Sequence, residues 1–295
     1  ILATCQLLGV DEVYAVGGAQ AIAMFCDIYP KRFLHQLISS QLDMDRLDYL
    51  RRDSFYTGVT EGAVNSERLL TMLNVKDDAL VIDAKGIYSV EKFLVARRLM
   101  YWQVYMHKTV LSAEFMLVNI LKRAKYLANE GIELPGTIAL RHFLNADYSW
   151  NEFEENPAVL EKFVLLDDYD VMSAIKDWTN HSDIILSELS KRVTDRNLLK
   201  IRLQATPFAP EVSARIGEAI KSQYGFSQGE EQYMYIEAKV KNHAYNNKKG
   251  HINLLYKDGH ISDISQAADQ MTIKALSEPV ERHFICFPRE LKDLL

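Results

Sequence analysis

Cysteine is scarce in this chain and poorly spaced for chemistry. The three in its 295 residues, Cys5, Cys26 and Cys286, form no C-x-x-C pair, so neither a zinc ribbon nor a disulfide framework is implied. An odd count with no signal peptide points to reduced thiols in a cytoplasmic protein. Long apolar runs are missing as well: Asp11, Glu12 and Asp27 break the apolar stretch near the N-terminus, which leaves nothing able to cross a bilayer. Excess positive charge is absent, the formal net charge being -6. That gives no support for broad coating of nucleic acid, and any basic surface that meets phosphate must be local. Low-complexity tracts and internal repeats do not occur. What remains is a chain with 48% hydrophobic residues, long enough for one large or two modest domains with a full core.

Polar residues gather on one stretch, residues 39–54. At about 100° per residue, Asp45, Asp48, Tyr49, Arg52 and Asp53 share one arc of a helix, with Met44, Leu47 and Leu50 on the other. Mixed acids and arginines can be a solvated face laced with ion pairs, or a face that handles metal and phosphate. A second helix is expected from Ser89 to about residue 108, capped by Ser89. Along it Arg97, Tyr101, Tyr105 and Lys108 form a basic and phenolic stripe. Cations suit phosphate and phenols can flank a sugar or base. Core tyrosines with rim cations would give the same stripe.

The run S-S-Q-L-D-x-D-R-x-D-Y-L-x-R-D-S-x-x-x-G over residues 39–58 resembles the final catalytic segment of HD-superfamily deoxynucleoside triphosphate triphosphohydrolases. The resemblance implies Asp45 as a ligand of a divalent metal ion, and Arg46, Tyr49 and Asp53 as substrate contacts. The pattern R-x7-Y-x-H-K at residues 97–108 is similar to a nucleotide-contacting helix of the same family. It implies phosphate contacts by Arg97 and Lys108 and a sugar contact by Tyr105; His107 comes with the motif but has no derivable role. In regulated members an R-N-L-x-K segment serves an inter-subunit nucleotide site, which would fall to Arg196 and Lys200; a solvated pair of cations is the alternative. The family's remaining metal ligands are an upstream His and a His-Asp pair, and no His-Asp dipeptide occurs here. One carboxylate cannot hold a catalytic metal in a defined geometry, so no residue is assigned to catalysis. The expected function is deoxynucleoside triphosphate hydrolysis in the family, with weak or no activity in this chain. The alternative is a catalytically silent nucleotide-binding, oligomerising subunit. Homo-oligomerisation is implied by the relatives.

A different resemblance covers residues 1–23, where G-V-D-E-V-Y-x-x-G-G-A-Q-A-I-A is similar to a segment of histidinol dehydrogenase. It reads as helix, short strand over 13–16, Gly-Gly turn and helix, and as a foreign or chimeric cap. Residues 24–205 are then a partial, predominantly helical phosphohydrolase domain, with Pro30 starting a helix, a strand over 79–83, and a helix over 109–129 whose core face is Phe115, Val118, Leu121 and Leu127. His35 reads as a packing or surface histidine rather than as a metal ligand. The acids at 167–170 are expected to cap a helix. Residues 206–295 form a small α+β lobe with strands near 232–240 and 251–261, closed by a Lys257-Asp258-Gly259-His260 hairpin turn. His243, His251 and His260 do not have metal-ligand spacing. The fold class is therefore mainly α with a C-terminal α+β lobe.

Overall fold

The computed structural model describes residues 12–242, 245, 250–267 and 280–294. With 59% helix and small sheets, the chain is mainly α with an α+β portion, as its sequence pattern implies. It divides into two compact units, residues 1–107 with 241–280 and residues 108–240 with 281–295.

The first unit opens on α1 (Glu12–Phe25) and α2 (Phe33–Ile38). Residues 13–16 thus lie in a helix rather than a strand. The alanines at 15, 19, 21 and 23 favour helix strongly enough to carry the two glycines between them, and residues 1–11 lie outside the described set. Pro30 precedes α2 without being its first residue; Arg32 takes the N-cap position. His35 turns its Nδ1 to the Met24 carbonyl at 3.0 Å, a packing role.

The acidic stretch folds as α3 (Met44–Thr57), ended by Gly58 at φ 72°. Leu47 and Leu50 face the core, as the arc analysis requires. After α4 (Ser66–Leu70), β1 (Leu73–Lys76) and β2 (Ala79–Asp83) form a hairpin through Asp77 and Asp78, both at positive φ, which gives the tight turn its twist. Next comes α5 (Ile87–Met100), which begins two residues before Ser89. Gly86 stands at its N-cap without a side-chain bond, so the cap expected at Ser89 is not used. A π-helical turn (Tyr101–Tyr105) follows, its wide loop closed by Met106 N–H donating to the Tyr101 carbonyl at 2.7 Å.

The rest of this unit returns from late in the chain: β5 (Asn253–Leu255) lies parallel to β2, and β6 (Ile261–Asp263) antiparallel to β5, in the order β1-β2-β5-β6. Gly259, at φ 84°, makes the expected hairpin. Leu50, Phe93, Leu94, Met100, Tyr245 and Leu254 are among the residues of the shared core. Gly62 sits in the short helical turn Thr60–Gly62 that packs on α3 and α5. A Cβ there would lie 2.4 Å from Met100 Sδ and 2.9 Å from Ser54 Cβ. Since Met100 is fully buried, Gly62→Ala should lower stability by about 1–3 kcal/mol, read as a shifted urea midpoint with an unchanged slope.

The second unit is organised by α6 (Lys108–Asn129). Leu127 is on its core face, but Val118 is 41% exposed, and the buried stripe runs instead through Leu111, Met116, Ile120 and Ala124. Around it stand α7 (Ile138–Asn145), α8 (Trp150–Glu155), α9 (Pro157–Val164), α10 (Asp168–Trp178), α11 (Ile184–Thr194) and α12 (Pro210–Tyr224). Asp167 caps α10 in a capping box with Asp170, the role the acidic cluster was expected to fill. A three-stranded sheet in the order β3-β7-β4 is built from β3 (Lys200–Gln204), β7 (Val280–Phe287) and β4 (Ile236–Asn242). Among the described residues no helix is long and apolar enough to cross a membrane.

Candidate functional site

Within the first unit, α3, the last turn of α5 and the π-helical turn bring together five side chains that sequence spacing placed on two separate helices. Tyr105 Oη donates to Asp53 Oδ2 at 2.8 Å. The Tyr49 and Tyr105 rings meet edge to face at 5.9 Å between centroids, and Tyr105 meets Tyr101 in the same way at 5.2 Å. Arg97 places its Cζ 5.8 Å from the centre of the Tyr101 ring.

Burial pushes the Tyr49 phenol up to about 12, the neighbouring Tyr101 adds to this, and the charges of Arg97 and then Arg46 pull it back. Both cations therefore act on the same phenol. Tyr105 is also raised, first by burial and then by its bond to the Asp53 carboxylate. Each phenol stays protonated at neutral pH and can donate a hydrogen bond.

The polar face of α3 divides. Asp48 and Arg52 are exposed and paired with each other four residues apart, the solvated-face arrangement. Tyr49 and Asp53 are half-buried and turn toward the π-helical turn. Arg46 leans back on the helix N-cap: Asp43, wholly buried, accepts from the Arg46 and Ser40 backbone N–H groups and from the Arg46 guanidinium. Tyr101 was legible as part of the stripe, but no role came with it; the π turn, which the sequence pattern does not announce, joins it to both Arg97 and Tyr105.

Asp45 is exposed in the first turn of α3, with no hydrogen bond or ion pair among the described residues. Its carboxylate is open to a cation. Among those residues no group of three His, Cys, Asp or Glu side chains could hold a metal ion. The donors present do not fit a catalytic divalent-metal centre on their own. His251 pairs with Asp263 at 2.9 Å, and His243 lies outside the described residues.

Lys108 belongs to the second unit. There it lines a cavity of about 670 Å³ with Lys200, Arg289, Glu290 and Lys292, over a floor of residues 198–201. Four cations and one acid give this hollow an anion-attracting interior. Arg196, in the turn before β3 at φ 56°, is not among its lining residues.

Residues 64–134, which carry Arg97, Tyr101, Tyr105 and Lys108, match the family model of the HD associated region. The crystal structure of a phosphohydrolase from Bacteroides thetaiotaomicron superposes with a TM-score of 0.85 at 49% identity, over 91% of this chain and 67% of that one. The chain belongs to the HD-type phosphohydrolases. The chain is also 38% identical over 201 residues to the uncharacterized protein YwfO of Bacillus subtilis, a match covering 66% of the chain and 44% of YwfO. It is 30% identical over 97 residues to a deoxynucleoside triphosphate triphosphohydrolase homologue of Dictyostelium discoideum, covering 32% of the chain and 19% of that protein. The chain thus spans less than half the length of the curated relatives it matches. A 25-residue stretch is 92% identical to histidinol dehydrogenase of Bifidobacterium longum, or 5% of that enzyme, in keeping with the second resemblance seen in the sequence.

Proposed function

We propose that this phosphohydrolase chain carries the nucleotide-contacting part of a site for deoxynucleoside triphosphates. The meeting of Tyr49, Asp53, Tyr101 and Tyr105, with Arg97 against the Tyr101 ring, supports the reading: a guanidinium for phosphate charge, beside protonated phenols and a carboxylate suited to sugar hydroxyls, while Arg46, held by Asp43, is the further substrate contact that the family resemblance implies. The triphosphohydrolase homologue of Dictyostelium supports the substrate class. In the reaction that the family resemblance implies, water adds to the α-phosphorus and the bond to the 5′ oxygen breaks, releasing triphosphate and deoxynucleoside; a divalent ion, of which Asp45 would be one ligand, would supply Lewis-acid chemistry there. Asp45 is the carboxylate this chain offers to such an ion, and no step is assigned to it alone.

A second reading is a catalytically silent nucleotide-binding subunit that assembles as a homo-oligomer. The cationic cavity around Lys108 and Lys200 favours it, with Lys200 as a regulatory nucleotide contact there; Arg196, which the family resemblance pairs with Lys200, lies outside that lining. Residues 1–23 are read as foreign to both functions.

The test is thermal unfolding of the chain with dATP and Mg²⁺ beside an assay for released deoxyadenosine. A dATP-dependent rise in melting temperature with little or no release is the expected result; at a ligand concentration of about 100 times Kd the stabilisation should approach about 2.7 kcal/mol. No shift with dATP, or an equal shift with inorganic sulfate, overturns the nucleotide reading.

A further inference from the structure

We propose that Tyr101 is a positioning residue of this site: its ring holds the Arg97 guanidinium and the Tyr105 phenol in the arrangement that receives a nucleoside triphosphate. The inference rests on the nucleotide reading above and deepens it. Four contacts carry it. Arg97 Cζ lies 5.8 Å from the Tyr101 ring centre, a cation against a negative π face. The Tyr101 and Tyr105 rings meet edge to face at 5.2 Å and 78°. Tyr105 in turn packs on Tyr49 at 5.9 Å and donates to Asp53 at 2.8 Å.

Tyr101 thus touches both Arg97, the phosphate arm, and Tyr105, the sugar arm. It stands at the first residue of the π-helical turn, where its own carbonyl accepts the wide bond from Met106 N–H. A long arginine side chain loses rotamer freedom when it binds an anion, and an aromatic ring beneath it takes that loss in advance. The ring, not the hydroxyl, does this, so phenylalanine should replace tyrosine here and leucine should not.

The experiment measures dATP binding by calorimetry for the wild-type chain, Tyr101→Phe, Tyr101→Leu, Arg97→Ala and the Arg97→Ala/Tyr101→Leu double variant. It adds NMR of ¹³C,¹⁵N-arginine-labelled protein, in which the Tyr101 ring current should displace the Arg97 side-chain resonances. Expected are a Kd for Tyr101→Phe within about twofold of wild type, a rise of about tenfold for Tyr101→Leu, and a double variant no weaker than Arg97→Ala alone. The Arg97 displacement should persist in Tyr101→Phe and vanish in Tyr101→Leu. Additive losses, or Arg97 resonances unmoved in Tyr101→Leu, overturn the positioning role. If the wild-type chain binds no dATP while the resonances behave as expected, the nucleotide reading falls and the hold of Tyr101 on Arg97 is supported.

Discussion

Replacing Arg123 with methionine should destabilise the second unit by about 3–5 kcal/mol, the cost of leaving a buried charge pair half empty. Arg123 lies on the inner face of α6, its side chain 10% exposed, and binds Asp183 through two nitrogens, with Nη2 to Oδ2 at 2.6 Å and Nε to Oδ1 at 3.1 Å. It reaches Glu230 at 3.1 Å and lies over the Tyr126 and Tyr233 rings. Asp183 also caps α11 by accepting from Leu186 N–H at 2.8 Å. Methionine fills the volume and leaves the carboxylate without its partner, 13% exposed.

Adding Asp183→Asn should recover part of the loss, because asparagine caps a helix about as well as aspartate and carries no charge to strand. The pH dependence has a definite sign. Burial works to raise the Asp183 carboxyl, but the Arg123 hydrogen bond and charge, with the Leu186 N–H, hold it below the usual range. A depressed folded-state pKa contributes stability that is present above the unfolded value, about 3.9, and is lost as pH falls through the folded value. The gap between wild type and Arg123→Met should therefore be full at pH 7 and shrink below about pH 4. Urea unfolding at both pH values checks it; a pH-independent gap would show that Arg123 acts by packing alone.

Some helices could be read from apolar spacing because they bury one stripe: Leu47 and Leu50 on α3, and the capping box at Asp167, needed only local information, whereas the short helices α7, α8 and α9 were not read, and α8 buries no residue. The failures also have local causes. Val13, Tyr14 and Val16 are β-branched or aromatic beside two glycines, which imitates a strand and turn until Ala15 and the alanines after the glycines are weighed. Val118 fits the helical period of α6, yet the residues packed against that helix set which side of the stripe is covered, and that is a tertiary fact. Strand pairing lies further out of reach. Val81 pairs with Asn253, and Ile201 with Cys286, across spans where alternation fixes a face but not a partner.

At the site, family resemblance marked residues on α3, at the end of α5 and after it, while chemistry alone left the solvated-face reading open. The structure divides that choice within one helix, giving Asp48 and Arg52 to solvent and Asp53 to Tyr105. Tyr101 escaped assignment because its partners are set by a π-helical turn, which no apolar period encodes.

Arg97→Ala should weaken dATP binding by about 10- to 150-fold, the equivalent of losing charge-assisted hydrogen bonds worth about 1.5–3 kcal/mol. Deoxyadenosine, which lacks the phosphates, should bind both proteins alike, so the ratio of the two affinities reports the phosphate arm and not general damage to the fold. Arg97→Lys should restore only part of the loss: an ammonium keeps the charge but loses the planar face that lies on Tyr101 and the forked donors that match phosphate. Arg46→Ala supplies the contrast. Its guanidinium is paired with Asp43, whose side chain is 0% exposed, so its removal leaves the N-cap carboxylate of α3 buried with only backbone donors. The Arg46 variant should lose more stability than the Arg97 variant and less of the affinity ratio. If calorimetry found the two arginines interchangeable in that ratio, phosphate would be held by diffuse positive charge, and the ordered arm of Arg97 on Tyr101 would have no part in recognition.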